Sequence, residues 1–376
     1  MSAKGLEGVV AAQTRISKVM GEEGRLIYGG YEIDDLARNT TFEEVAHLLW
    51  FGDLPDRTRL ADLRARLLAG AVVDERVLSV VRAAPAGTHP MAILRTAVSA
   101  LSYVDDEAEV MEPEVNQRKA ERLTGQAITL TAALDRLRRG RDPIAPRPDL
   151  SLAANLLYML KGEEPDAISE RIIDAALTLH AEHGLNASTF AARVTAATLA
   201  DMHSAVTSAI GALKGPLHGG ANERVMRMLL DIDRPDAAER WVVDALGRGE
   251  RIMGFGHRVY RALDPRAPIL KELAGQLSAR GGDTRWLEIS DRIQQTMARE
   301  MEARGRKIYP NVDFFSASVY YTLGIDMDLF TNLFACARMA GWSAHVIEQW
   351  QDNRLIRPKA EYIGPERRTV TPIEQR

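Results

Sequence analysis

Apolar residues recur along most of this chain at the three- and four-residue spacing that places them on one face of an α-helix. Thr41-Phe42-Glu43-Glu44 has the form of a capping box, and Val45, Leu48 and Leu49 follow on one face of the helix it would open. The same spacing predicts further helices over 60–68, 91–101, 117–137, 150–160, 169–183, 188–199 and 202–214. Small residues crowd the last two segments, which favours close packing between them. In total we expect about fifteen helices or more.

Strand-like sequence is scarce. Only the stretch from Arg25 to Ile33 predicts a short hairpin, with Gly29-Gly30 at its turn. The Pro- and Arg-rich stretch 138–148 is predicted to be a surface loop rather than a domain boundary. The pattern therefore predicts an all-α protein with one short β-hairpin near its N-terminus.

Composition narrows the class of protein. The chain has 376 residues, enough for one large or two ordinary domains, and its net charge of −4 gives no reason to expect nucleic acid or a membrane surface as partner. The first 25 residues mix charges throughout, and no run of about 18 apolar residues occurs, so we expect no signal peptide, no membrane span and a cytoplasmic location. The single cysteine, Cys336, excludes an intrachain disulfide and lies among residues typical of a core.

Three segments each place one titratable side chain in a break marked by glycine or proline between predicted helices. They are Gly215-Pro216-Leu217-His218-Gly219-Gly220, Met253-Gly254-Phe255-Gly256-His257 and Tyr309-Pro310-Asn311-Val312-Asp313. Glycines there let the backbone approach a ligand closely. Two imidazoles and one carboxylate suffice to remove a proton from carbon and to add that carbon to a carbonyl group.

Each histidine also has a structural interpretation. His218 precedes a predicted helix, whose dipole disfavours the imidazolium, and a neutral imidazole can donate a hydrogen bond to a forming oxyanion. The alternative is a histidine that only caps this helix. His257 lacks the third glycine and the preceding strand of a dinucleotide-binding fingerprint. It is equally compatible with a packed histidine in a glycine turn.

Asp313 is bordered by Val312, Phe314 and Phe315. Partial desolvation among these side chains would raise its pKa above the ordinary value of about 3.9 and make it a better base. The alternative is that Asp313 is the N-cap of a helix beginning at Phe314.

Three arginines could together neutralise a dicarboxylate. Arg266 follows an Asp-Pro turn and presents the planar fork that suits a carboxylate. Arg338 lies in an apolar helical stretch, where a charge must be paired or liganded, so a salt-bridged core arginine is the alternative. Arg357 precedes Pro358 in a segment that looks exposed, where a solvated charge is the alternative.

Other kinds of site are not supported by the sequence. His180 and His183 could share one helix face, but no third ligand lies nearby, so we expect no metal. The chain has neither a Gly-x-Ser-x-Gly elbow nor a Gly-Lys-Ser/Thr phosphate loop.

Together these segments resemble those of the citrate synthase family. The resemblance runs from Gly21-Glu22-Glu23-Gly24-Arg25 to Tyr362-Ile363-Gly364-Pro365 and includes His183-Gly184-Leu185-Asn186. It is strongest to the short bacterial and archaeal form. It implies a two-domain helical fold, with a large domain over 1–218 plus 319–376 and a small domain over 219–318 that closes over the active site.

The resemblance also implies an activity and the residues that carry it. The reaction is an acyl transfer of the tricarboxylic acid cycle, in which acetyl-CoA condenses with oxaloacetate and the thioester is then hydrolysed to citrate and CoA. Asp313 would remove a methyl proton, His218 would hydrogen-bond the thioester oxygen, and His257 would polarise and protonate the ketone. Oxaloacetate would be held by His183, Arg266, Arg338 and, from the partner subunit of a homodimer, Arg357. The resemblance implies no cofactor, because the CoA thioester is a substrate.

Contacts to CoA follow less directly from the resemblance. Backbone groups of Ile252, Met253, Gly254, Phe255 and Gly256 would meet the adenine, and Arg258 and Lys307 are candidates for its phosphates. The nearest alternative activity is that of 2-methylcitrate synthase, which uses propionyl-CoA with the same residues. One methylene in a pocket is worth only about 1–3 kcal/mol, so the sequence does not separate the two. A catalytically silent helical scaffold is a remote alternative.

Overall fold

In the computed structural model, which describes residues 4–6, 8–281 and 283–376, sixteen α-helices carry most of the regular structure. The helices are α1 (Ile33–Asn39), α2 (Phe42–Phe51), α3 (Arg57–Gly70), α4 (Glu75–Arg82), α5 (Pro90–Ala100), α6 (Pro113–Arg138), α7 (Leu152–Lys161), α8 (Ala167–His180), α9 (Ala187–Ala196), α10 (Met202–Leu213), α11 (Ala221–Ile232), α12 (Ala238–Gly247), α13 (Ala267–Gly281), α14 (Arg285–Ala303), α15 (Val312–Thr322) and α16 (Phe330–Gln351). The predicted all-α class is confirmed. The capping box is also confirmed, since the Glu44 carboxylate accepts a hydrogen bond from the Thr41 N–H at 2.8 Å.

The predicted hairpin is present, and it belongs to a slightly larger sheet. Strands β1 (Ser17–Met20), β2 (Arg25–Tyr28) and β3 (Tyr31–Glu32) pair antiparallel in sequence order. Gly29 and Gly30 form the β2–β3 turn with φ of 51° and 96°, the left-handed values that favour glycine in a tight hairpin. Strand β1 was not predicted because its side chains do not alternate between buried and exposed.

Helix α16 lies at the centre of the larger group of helices and is buried along most of its length. It packs against α2, α6, α8, α9 and α10. Cys336 lies in this core, with its sulfur 3.3 Å from the carbonyl oxygen of Ala127, as expected for a core thiol. Helices α9 and α10 pack against each other, as their small residues predicted.

Helices α11 to α15 form a second group, in which α15 packs on α11 and α13 while α12 packs on α14. The two groups meet where α13 touches α8 and where α11 touches α16. The predicted division of the chain into domains stays a prediction, and α15 continues through its boundary at 318 to Thr322. Among the described residues, no helix combines the length and the apolar character that crossing a membrane requires.

Candidate active site

His183 lies in a turn between α8 and α9, not at the end of a helix as the periodicity predicted. Helix α8 ends at His180, Gly184 takes a left-handed φ of 59°, and Asn186 caps α9. The turn buries His183 and places its Nε2 atom 3.2 Å from the hydroxyl oxygen of Tyr260. Burial is the main reason that the pKa of His183 lies well below its ordinary value, so the imidazole is neutral.

His218 lies just before α11 but does not cap it. The N-cap of α11 is Gly220, and Nε2 of His218 instead lies 2.8 Å from the hydroxyl oxygen of Ser188. The capping alternative is therefore wrong, and Nδ1 is the ring nitrogen left for a ligand. Burial, assisted by the charge of Arg338, lowers the pKa of His218 to about 4, which keeps the ring neutral.

His257 is held by the backbone of its own loop. Its Nδ1 atom accepts hydrogen bonds from the N–H groups of Val259 at 3.0 Å and Tyr260 at 3.2 Å. A ring nitrogen that accepts is unprotonated, so the proton of the neutral imidazole is on Nε2. Burial and the charge of Arg266 lower the pKa of His257 to about 4. The ring centres of His257 and His183 are 5.3 Å apart.

Asp313 is in the first turn of α15 and is not the N-cap. That position belongs to Asn311, whose side-chain oxygen accepts from the Asp313 N–H at 3.1 Å. The capping alternative is therefore wrong. Within the described part of the chain, no hydrogen bond reaches the Asp313 carboxylate. Desolvation raises its pKa to about 6, as its apolar neighbours predicted, although Arg266 partly offsets the shift.

Arg266 is buried and already has a counter-ion. Its Nε and Nη2 atoms donate to the two carboxylate oxygens of Asp264 at 2.9 and 2.8 Å. Asp264 also accepts from the N–H of Val312 at 3.3 Å, so this ion pair fastens the turn carrying Arg266 to the start of α15. No hydrogen bond uses Nη1 of Arg266 within the described residues, which leaves it for a ligand.

Arg338 is equally buried but has no carboxylate within 4.0 Å among the described residues. Its Nε atom donates to the carbonyl oxygen of His180 at 2.7 Å, and its guanidinium carbon lies 4.8 Å from the centre of the Phe334 ring. The alternative of a salt-bridged core arginine is therefore wrong. Burial lowers the pKa of Arg338 to about 10.

Arg266 and Arg338 act electrostatically on the three histidines and the aspartate predicted for the site. Arg266 influences the pKa values of His183, His257 and Asp313, and Arg338 influences those of His183, His218 and Asp313. All six side chains therefore share one electrostatic environment. No hydrogen bond in the described ranges joins Asp313 directly to His218 or His257.

Arg357 has no hydrogen bond to this cluster among the described residues. It is exposed on the tail that follows α16, and no ion pair involves it in the part of the chain that the structure describes. Arg258 and Lys307, the candidates for CoA phosphates, are also exposed and have no ion pair there. All three cations are accessible to a ligand or to a second subunit.

The glycine loop proposed for the adenine uses part of its backbone in hydrogen bonds to the segment that precedes α15. The carbonyl of Gly254 accepts from the N–H of Asn311, and the N–H of Gly256 donates to the carbonyl of Tyr309, both at 2.9 Å. Gly254 has φ of 78°, and a methyl group on it would lie 2.9 Å from Phe314. Ile252 is buried. Fewer backbone groups of this loop are available to a ligand than the sequence suggested.

Sequence reasoning missed three polar contacts of the site. Ser188 holds His218, Tyr260 reaches His183, and Asp264 pairs with Arg266. Only Asp264 carried a local signal, because it lies two residues before Arg266. The other two contacts join residues 30 and 77 positions apart, and periodicity has no information on such pairs.

The suggested pair of metal-binding histidines is not formed. Nδ1 of His180 lies 2.8 Å from the Ala176 carbonyl oxygen, which identifies that nitrogen as a donor within the helix. Within the residues that the structure describes, no three His, Cys, Asp or Glu side chains are grouped to hold a metal ion.

Comparisons with known proteins show what the chain as a whole is similar to. Residues 5–359 match the family model described as citrate synthase, C-terminal domain. Citrate synthase 2 of Bacillus subtilis is 49% identical over 100% of this chain and 99% of its own length. 2-Methylcitrate synthase 2 of Corynebacterium glutamicum is 43% identical over 99% of this chain and 97% of its own. The citrate synthase of Thermoplasma acidophilum, solved as a ternary complex with carboxymethyl coenzyme A and oxaloacetate, is 34% identical and superimposes with a TM-score of 0.93 over 100% of this chain and 99% of that one.

Proposed function

This chain belongs to the citrate synthase family of transferases, and on that premise we propose that it condenses acetyl-CoA with oxaloacetate and hydrolyses the product to citrate and CoA. The observation that carries the proposal is the grouping of a desolvated carboxylate, two neutral imidazoles and two buried arginines. These groups match the needs of a reaction that makes an enolate and adds it to a ketone of a dianionic substrate.

Asp313 is the proposed base. A thioester methyl group is a far weaker acid than a carboxylic acid, so a base with a pKa of about 6 removes its proton only if the enolate oxygen is stabilised as it forms. His218 would supply that stabilisation through Nδ1–H, with Nε2 accepting from the Ser188 hydroxyl. One such preorganised donor is worth about 3–4 kcal/mol.

His257 is the proposed acid. The methyl carbon attacks the ketone carbon of oxaloacetate, a carbon–carbon bond forms, and the ketone oxygen becomes an alkoxide that needs a proton. Because the two backbone bonds to Nδ1 place the ring proton on Nε2, His257 presents a neutral donor for this step. General acid help of this kind contributes about 10²–10⁴ in rate. Water then cleaves the thioester and releases CoA.

The oxaloacetate carboxylates would be bound by His183, Arg266 and Arg338 and by Arg357 of the partner subunit. Arg338 supports this assignment most directly, since it is a buried cation without a protein counter-ion in the described chain. Arg357 supports the homodimer part of the proposal, because it is exposed on the tail after α16 and is therefore available to a second subunit.

A mixed-dimer experiment tests the contribution of Arg357. Subunits carrying Asp313→Asn or Arg357→Leu are each expected to form nearly inactive dimers. If Arg357 serves the opposite subunit, a mixed dimer has one site that contains both native residues, so co-refolding the two variants restores activity. Each variant refolded with itself is the control. A mixture no more active than its components would show that Arg357 acts within its own chain or not at all.

Domain closure is the remaining part of the proposal. Water must be excluded until the carbon–carbon bond has formed, since otherwise the site would hydrolyse acetyl-CoA directly. We propose that residues 219–318 form a small domain that closes when oxaloacetate binds, with His218 and Asp313 near the two crossings between domains. The loop from Ile252 to Gly256, with Arg258 and Lys307, would then complete a CoA site.

The acyl preference is the finer question. The 43% identity to a 2-methylcitrate synthase keeps propionyl-CoA as the second candidate substrate. We expect a thiol-release assay with oxaloacetate to give a higher kcat/KM for acetyl-CoA than for propionyl-CoA. The reverse order would assign the chain to 2-methylcitrate synthesis. Thiol release with neither thioester would refute both activities.

A further inference from the structure

The turn between β1 and β2, residues 21–24, touches the loop that carries His257 and Arg266. The N–H of Arg261 donates to the carbonyl oxygen of Gly21 at 2.9 Å. Arg261 lies midway between His257 and Arg266 in the chain, so this bond holds the part of the loop that joins two proposed substrate contacts.

Close packing makes glycine necessary at this turn. A methyl group on Gly21 would lie 2.2 Å from the carbonyl oxygen of Val259, and one on Gly24 would lie 2.7 Å from that of Leu263. Gly24 also has a left-handed φ of 66°, whereas the φ of Gly21 lies outside the left-handed region. A side chain at Gly21 is therefore excluded by the opposing loop and not by the conformation of its own backbone.

The opposite end of the hairpin formed by β1 and β2 is held beside His183 by hydrogen bonds. The Ser17 hydroxyl donates to the carboxylate of Glu182 at 2.9 Å and accepts from the N–H of Gly184 at 3.2 Å. The Tyr28 hydroxyl donates to the carbonyl oxygen of Glu182 at 2.6 Å. These bonds are buried or partly buried, and they fix the two residues that flank His183.

The hairpin thus joins two parts of the proposed site that the two groups of helices contribute separately. One end holds the turn with His183, and the other meets the loop with His257. We infer that Gly21 is a positioning residue: its carbonyl oxygen and its missing side chain set how closely the 257–266 loop approaches His183. The inference rests on the proposed function for its kinetic consequence but not for the contact itself.

The test compares Gly21→Ala with Glu22→Ala, a matched control in the same turn whose exposed side chain forms no hydrogen bond or ion pair within the described residues. Amide hydrogen exchange, read by mass spectrometry on the peptide that spans 259–263, reports the Arg261 bond directly. We expect Gly21→Ala to exchange there about three- to tenfold faster, the factor that losing one hydrogen bond gives. We expect the control to match the wild type.

Kinetics then separate positioning from general destabilisation. Gly21→Ala is expected to raise the KM for oxaloacetate by about tenfold or more, while the thermal midpoint and exchange in helices far from the loop stay near wild type. Unchanged exchange at 259–263 together with unchanged KM would overturn the inference. A wild type without condensing activity would instead refute the proposed function, and the exchange comparison would still test the contact.

A measurement on the unmodified protein covers the case in which Gly21→Ala fails to fold. If the contact forms, the Arg261 amide of the wild type exchanges more slowly than an exposed amide, and oxaloacetate slows it further. Exchange at the rate of an exposed amide, with and without oxaloacetate, would overturn the inference without any variant.

Discussion

The two buried arginines of the site stand in opposite electrostatic situations. Arg266 is 2% exposed and Arg338 is 1% exposed, so both guanidinium groups have left water. Arg266 is bound by both oxygens of Asp264, and its pKa is raised above the ordinary value. Arg338 has a carbonyl and an aromatic ring as its close partners, and burial lowers its pKa to about 10.

This difference suggests different roles: Arg266 organises the structure of the site, and Arg338 recognises the anionic substrate. The charge of Arg266 is neutralised by Asp264 within the protein. Because Asp264 also accepts a hydrogen bond from the Val312 N–H, the pair connects the loop of Arg266 to the helix that carries Asp313. Arg338 is charged but uncompensated, so a bound dianion would supply what the fold leaves out. A buried charge without a counter-ion destabilises the free protein. An anionic ligand that pairs with this charge relieves the destabilisation and therefore binds more tightly.

Removing Asp264 should have the largest effect, since it makes Arg266 resemble Arg338. We expect Asp264→Ala to lower the free energy of unfolding by about 3–5 kcal/mol, because it leaves a buried cation alone. Urea denaturation measures the change. Asp264→Asn, which keeps a hydrogen-bond acceptor but no charge, should lose less than the alanine variant. Equal stability of the alanine variant and the wild type would show that the ion pair is not what compensates Arg266.

Replacing Arg338 should not lower the free energy of unfolding, in contrast to the removal of Asp264. We expect Arg338→Met to weaken oxaloacetate binding by about 100-fold, or about 2.7 kcal/mol, because a buried charged hydrogen bond to a carboxylate is lost. Its free energy of unfolding should equal or exceed that of the wild type, since no buried counter-ion is left behind and only the carbonyl oxygen of His180 loses a hydrogen bond. Arg266→Met is the matched control, and it should be less stable than the wild type because it abandons Asp264. A destabilised Arg338→Met would contradict the comparison.

The raised pKa of Asp313 should appear in the pH dependence of activity. The folded-state pKa of Asp313 is raised to about 6, so the carboxylate becomes protonated as pH falls below that value and kcat/KM should drop about tenfold per pH unit. Because the folded-state pKa is higher than the unfolded value of 3.8, ionisation of Asp313 lowers the free energy of unfolding as pH rises above 3.8. This loss of stability is complete above about pH 6. Asp313→Asn should therefore be inactive but at least as stable as the wild type at pH 8.

Both arginines lower the pKa of Asp313, and Arg266 does so more strongly. The acid limb of the pH profile should therefore move to higher pH in Arg338→Met. A limb that stays in place, measured as kcat/KM against pH, would show that Arg338 does not act on the base.

Much of the site was visible in the sequence because its chemistry is carried by residues at breaks in helical periodicity. His218, His257 and Asp313 each stand beside glycine or proline, and such breaks are local features. Arg338 was identified for a related reason, since an arginine in an apolar helix contradicts its surroundings. Two capping alternatives failed because a cap depends on backbone geometry, which neighbours such as Gly220 and Asn311 decided.

What the sequence determined by itself is the helical class, most helix positions, the β2–β3 hairpin and the residue types available for chemistry, because these follow from periodicities and turn preferences over a few residues. Only the tertiary structure decided which nitrogen of each histidine faces a ligand, which arginine has a counter-ion, and that the turn at Gly21 meets the loop of His257. Each of these depends on a contact at hydrogen-bond distance, most of them between residues far apart in the chain. Such contacts arise when helices and loops pack in three dimensions, and no local pattern encodes them.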